Sequence, residues 1–128
     1  MKTATTKGVQ ITVKTWFRED LSDVSDGRYF FNYRIFMLNH NDFEVQLLYR
    51  EWFIFDSFAN PKHISGEGVI GEQPHLKKDQ AFDYVSGCEI SSEVGSMKGY
   101  YTFRNLQSGE LFRVVIPAFS LVFPPRLN

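Results

Sequence analysis

Hydrophobic and polar positions alternate with a period of two along most of this chain. Val9, Ile11, Val13 and Thr15 share one parity and Gln10, Thr12 and Lys14 the other, the pattern of a half-buried strand over residues 8–17. The stretch from Arg18 to Gly27 is too polar to pack and reads as a loop. Beyond it Tyr29, Phe31, Tyr33, Ile35 and Met37 alternate with Asn32 and Arg34, which predicts a central strand over 28–38. Asn39-His40-Asn41-Asp42 is a turn cluster. The segment Val45 to Asp56 then places Val45, Leu47, Tyr49, Phe53 and Phe55 on one parity and Arg50 and Trp52 on the other, so the two strands are expected to form an antiparallel hairpin. A helix over 43–58 is the alternative, but β-branched and aromatic residues outnumber good helix formers there and no capping box stands out.

Residues 57–79, rich in Pro, Gly and polar side chains, suit a long crossing connection with one short strand around His63 to Ser65. Ala81 to Val85 is a further strand that Ser86-Gly87 is expected to break. Met97 to Leu106 carries Tyr101 and Phe103, and Gln107-Ser108-Gly109 turns it into Leu111 to Ile116. Pro117 makes that last strand an edge or bends it. About seven short antiparallel strands without a convincing helix predict an all-β sandwich of fibronectin type III or immunoglobulin type. The chain reads as a single domain, 1–128, with residues 1–7 a flexible lead-in.

Composition sharpens this picture. Among 128 residues, 13 Phe, 6 Tyr and 2 Trp favour pleated, half-buried surfaces, and Trp16, Phe17 and Trp52 are expected in the core. With 14 Lys and Arg against 15 Asp and Glu, a formal charge of −1 supplies no field for holding a nucleic acid. One cysteine, Cys88, excludes an intrachain disulfide and a cysteine-rich zinc site, and fits the cytoplasm. No membrane span or signal segment is apparent, and no cofactor is called for.

Gly66-Glu67-Gly68-Val69-Ile70-Gly71 has the G-x-G-x-x-G spacing that brings backbone amides to a diphosphate. In dinucleotide-binding folds that motif opens a helix, whereas here Glu72-Gln73-Pro74 follows, so a nicotinamide enzyme is disfavoured. Two readings stay open: a tight loop that needs left-handed glycines, and an anion cradle of Gly66, Gly68 and Gly71 helped by Lys62, Lys77 and Lys78. His63, His75, Glu67 and Glu72 supply donors for a divalent metal but lack the close spacing of known metal motifs. Cys88 reads as a buried, inert thiol. No G-x-S-x-G elbow or paired carboxylates can be placed, so no catalytic residue is assigned. The proline-spaced C-terminus, Pro117 to Arg126, reads as a strand packed on its own domain or as an edge that meets another subunit.

Several strings in order resemble the ApaG family: Val45 to Trp52, Gly66 to Pro74, Tyr84 to Cys88, Val94 to Tyr101, Ile116 to Phe119 and the terminal Leu127-Asn128. The resemblance implies a fibronectin type III-like sandwich. It also implies an interaction role, because such domains occur in F-box proteins and in a polymerase-interacting protein. Bacterial members are associated with cobalt resistance and magnesium efflux, and pyrophosphate binding has been discussed for their glycine loop, here Gly66, Gly68 and Gly71. Two functions are therefore expected: a non-catalytic module that docks another protein, homodimerisation included, or a sensor of a small phosphate-containing ligand.

Overall fold

The computed structural model describes residues 1–127. The chain forms β1 (Lys2–Thr6), β2 (Val9–Phe17), β3 (Tyr29–Asn39), β4 (Val45–Asp56), β5 (Lys62–Glu67), β6 (His75–Leu76), β7 (Ala81–Ile90), β8 (Val94–Asn105) and β9 (Leu111–Val122). All pairings between these strands are antiparallel, in two sheets of order β1-β2-β3-β7 and β5-β4-β8-β9, with β6 beside β4. The expected all-β sandwich is therefore present. The strands beyond the expected seven are the short β1 and β6. Among the described residues no helix is long and apolar enough to cross a membrane.

The first sheet follows the period-two pattern without interruption. Tyr29, Phe31, Tyr33, Ile35 and Met37 of β3 all point inward, as do Val9, Ile11 and Val13 of β2. They meet Tyr101, Phe103, Val114, Ile116 and Leu121 of the second sheet in one core. Burying each large side chain contributes roughly 1.5–3 kcal/mol, so correct alternation is what holds the layers together.

Residues 1–7 are not a loose lead-in. Lys7 and Gly8, both in the left-handed region (φ 47° and 80°), make a two-residue hairpin turn that returns β1 along β2 from Thr6↔Val9 to Lys2↔Val13. Nor do β3 and β4 form a hairpin, since they lie in different sheets. The buried Asn39 makes the crossing: its amide donates to the carbonyls of Phe43 and Leu76, both at 2.9 Å, and its Oδ1 accepts from the Asn41 amide. A second crossing, between β7 and β8, is held by the buried Asp56, which accepts from the Ser91 amide at 2.6 Å and the Ser92 hydroxyl at 2.8 Å.

Ser86-Gly87 does not end β7. Gly87 pairs with Asn32, its missing side chain leaving room for the Phe30 ring, and the strand runs on to Ile90. β9 passes through Pro117 with a bulge, for Pro117 and Ala118 together oppose Lys98 between the pairs Gly99↔Ile116 and Met97↔Phe119. It is also an edge of its sheet, packed on the N-terminal strand, where the Val115 amide donates to Thr6 Oγ1. Trp52 lies in the core at 3% exposure, but Trp16 sits at 36% on the outer face of the first sheet, contrary to expectation. Asn128, the last residue of the family-like strings, lies outside the described residues.

Candidate functional site

One irregularity organises the second sheet. Leu47 pairs with Phe103 and Tyr49 with Thr102, which leaves Leu48 as an extra residue in β4. A bulge shifts side-chain parity by one. Val45 and Leu47 point inward as the alternation predicts, but beyond Leu48 the inward residues are Arg50, Trp52, Ile54 and Asp56. Tyr49, Glu51, Phe53 and Phe55 are turned outward, so the single apolar face expected for β4 is split between the core and the surface.

The glycine loop is the partner of this bulge. β5 and β6 both pair with the same edge of β4, at Tyr49–Ile54 and at Val45–Gln46, and the loop spans the gap opposite Leu48. The carbonyl of Leu48 accepts from the Gly68 amide at 2.8 Å and from the Gln73 side-chain amide at 2.9 Å. Val69 and Glu72 exchange two backbone bonds, 2.8 and 2.9 Å, around a turn in which Ile70 and Gly71 have φ of 43° and 78°. Gly68, at φ 60°, admits no side chain, since a Cβ there would lie 2.2 Å from the Glu72 carbonyl oxygen. A Cβ on Gly66 would come within 3.0 Å of the Arg50 guanidinium, whose Nη1 donates to the carbonyls of Glu67 and Gly68 at 2.8 and 2.9 Å. Gly66, Gly68 and Gly71 thus build a loop that clamps a bulge and an arginine, and the amides of Gly68, Val69 and Glu72 are spent within the chain.

The lysines assigned to an anion cradle do not converge on it. Lys62 faces Ile54 across the ladder, whereas Lys77 and Lys78 follow β6, which pairs at Gln46. That is roughly 26 Å along the strand at about 3.3 Å per residue. Lys78 is also held by Asp42 at 2.9 Å. Arg50 is the cation at the loop, and it escapes a sequence reading because the bulge that aims it inward is invisible to simple alternation. The signal that does exist is the doublet Leu47-Leu48 followed by Trp52 and Ile54 in the opposite parity.

The metal donors are likewise dispersed. His63 stacks on Phe53 (4.7 Å between centroids, 11° between planes) with Nε2 3.1 Å from Glu51, while His75 lies 3.6 Å from Glu44 near the other end of β4. Glu67 faces Tyr49 across the ladder and Glu72 closes the loop's turn. Among the described residues no three His, Cys, Asp or Glu side chains gather where they could hold a metal ion. The thiol of Cys88 is buried and unpaired with another cysteine, and burial pushes it up to about 11, as suits an inert group.

What the geometry does assemble is the outer face of the second sheet. Tyr49 and Phe55 are about half exposed, Phe53 is partly covered by His63, and Phe58 just beyond the strand is 81% exposed. Tyr100 lies beside this row, and the Arg113 guanidinium covers its ring at 5.2 Å. Two shallow grooves run across the face, of about 370 Å³ beside Tyr49, Tyr100 and Arg113 and about 390 Å³ beside Phe53, Phe55 and Lys98.

Fold and face together define an antiparallel β-sandwich domain with a bulged, aromatic-faced sheet clamped by a glycine loop. The ApaG domain family matches residues 19–105. The protein ApaG of Mesorhizobium japonicum is 42% identical over 97% of this chain and 95% of its own, and that of Anaeromyxobacter dehalogenans is 37% identical over the full length of both. In structure the chain is similar to the putative ApaA protein of Bordetella pertussis, with a TM-score of 0.87 and 31% identity over 91% of this chain and 94% of that one. The chain belongs to the ApaG family.

Proposed function

We propose that the chain is a non-catalytic binding module that docks a partner polypeptide on the outer face of its five-stranded sheet. The observation that carries this is the bulge at Leu48, which takes Tyr49, Phe53 and Phe55 out of the core and sets them in a row on the surface. A buried Phe contributes roughly 1.5–3 kcal/mol, and that stabilisation is forgone for each ring left in solvent. Tyr, Phe and Arg are the residue types enriched at the centres of protein interfaces, whereas lysine-rich faces are not. The face also carries Lys98, Arg104 and Arg113 against Glu51 and Glu67, which suits a partner with an apolar centre and an acidic rim. The association with cobalt resistance and magnesium efflux that the family resemblance implies would then be exerted through that partner.

A diphosphate site on the glycine loop is the weaker reading, because three of the loop's amides are already bonded and the lysines lie elsewhere. The discriminating experiment compares recovery of a co-purifying partner by the tagged chain and by charge-bearing variants. Tyr49→Glu and Phe55→Glu are expected to lower recovery by at least roughly tenfold, the scale of a hot-spot loss, while Phe36→Glu on the opposite sheet leaves it unchanged. Equal losses from both faces would refute the assignment.

A further inference from the structure

The sandwich is closed on one side, where β1 meets β9, and open on the other, between the edges β7 and β5. At that open edge a cavity of about 370 Å³ enters between the sheets, walled by Tyr33, Trp52, Met97 and Ser86, with Arg50 inside and Lys62 among the lining residues. Two groups there lack the partners that buried groups ordinarily have. The Arg50 guanidinium is half-buried and bonded only through Nη1 to two carbonyls, with no carboxylate paired to it among the described residues. The indole N–H of Trp52, a side chain 3% exposed, has no acceptor among them either. It is not sealed in, since no described side-chain nitrogen or oxygen is both buried and unpartnered. Trp52 is one of the side chains that line this cavity.

We propose that this cavity binds a small organic anion whose carboxylate or phosphate group is taken by Arg50 and accepts the Trp52 indole N–H. A half-buried guanidinium without a counter-ion is costly, and its planar fork, fixed here by the loop carbonyls and the flat contact with Gly66, is pre-organised for an oxyanion. Lys62 adds a second positive charge, and Glu89 is the acidic residue that lines the cavity. The phenol of Tyr33 on the cavity wall is pushed up by burial and stands there as a neutral hydroxyl. The space holds on the order of a dozen non-hydrogen atoms, enough for a compact aromatic or branched acid but not for a whole nucleoside polyphosphate. Arg50 also borders the groove beside Tyr49, and Lys62 and Met97 the one beside Phe53, but the anion site lies between the sheets and its test needs no polypeptide partner.

The chain has two tryptophans, so its two indole N–H signals in a nitrogen-15 spectrum form a matched pair, Trp52 in the cavity and Trp16 on the outer face of the other sheet. Titration with benzoate, phenyl phosphate and neutral benzamide separates the cases. Saturable movement of the Trp52 signal with benzoate alone assigns a carboxylate, with phenyl phosphate alone a phosphate, and with both a general oxyanion site; Trp16 is expected to stay still. Arg50→Met is expected to weaken binding by at least roughly tenfold, with Arg50→Lys as the milder variant should the first disturb the loop. No saturable shift at tens of millimolar, or equal shifts with benzamide, would overturn the proposal.

Discussion

The two sheets of this sandwich obey the same alternation rule to different degrees. In the four-stranded sheet the register of β2 with β3 and of β3 with β7 runs unbroken, most inward positions are core residues, with Thr15 and Ser86 half-buried, and the outer face is tied down by pairs such as Arg34 with Asp83 at 2.6 Å. The five-stranded sheet is broken twice, at Leu48 and at Pro117-Ala118, and one of its edges is interrupted by the glycine loop. The break at Leu48 is where Tyr49 and Phe55 reach solvent, each about half exposed, and where Arg50 turns to the interior. The regular sheet serves as scaffold, and the irregular one presents chemistry.

The sharpest way to break this contrast is to remove the extra residue. Deleting Leu48 leaves Leu47 opposite Phe103 and Tyr49 opposite Thr102 in plain alternation, with Tyr49, Glu51 and Phe53 still outward, but it removes a buried side chain and the carbonyl that the Gly68 and Gln73 amides bond. We expect that variant to keep the same faces but to lose roughly 3–5 kcal/mol in urea unfolding, with its amide shifts gathered in the glycine loop. A loss of less than about 1 kcal/mol with unmoved loop amides would mean that the loop does not clamp the bulge.

A graded comparison uses one glycine from each sheet. Gly68→Ala places a Cβ at positive φ and 2.2 Å from a backbone oxygen that cannot move far, so a loss of roughly 2–4 kcal/mol in urea unfolding is expected. Gly87→Ala meets only the far end of the Phe30 ring, which can swing outward, and is expected to lose less than about 1 kcal/mol. Similar losses at both sites would contradict the clamp role of the loop.

The sheet crossings give a smaller, pH-dependent effect. Burial alone would raise the Asp56 carboxyl, but the amides of Ser91 and Phe58 and the hydroxyl of Ser92 outweigh it and hold Asp56 below the usual carboxylate range. A depressed carboxylate adds stability above its unfolded value of about 3.9, and that share is lost as pH falls through the lower folded value. Thermal melts should therefore show a decline below about pH 4 that Asp56→Asn flattens. The other crossing depends on Asn39, which does not titrate.

Much of the regular sheet was legible in the sequence because alternation there is uninterrupted: β2 and β3 fall where Val9 to Thr15 and Tyr29 to Met37 predict them. β1 was not, because its pairing depends on Lys7, not only Gly8, adopting positive φ. In the irregular sheet the limits of β4 were legible but its faces were not, since one extra leucine reverses them without changing composition. The glycines were readable as a loop needing left-handed residues. What the loop holds, the Leu48 carbonyl and the Arg50 guanidinium, depends on a neighbouring strand and leaves no local mark.

The most direct test of the docking face is a photo-crosslinking side chain placed at Tyr49 and Phe55 on the irregular sheet and at Phe36 and Val85 on the regular one. All four positions are partly exposed, so access alone does not distinguish them. The same partner polypeptide is expected to be captured from Tyr49 and from Phe55 and from neither of the other two. Capture from Phe36 or Val85, with none from Tyr49 and Phe55, would place the docking surface on the wrong sheet and contradict the account.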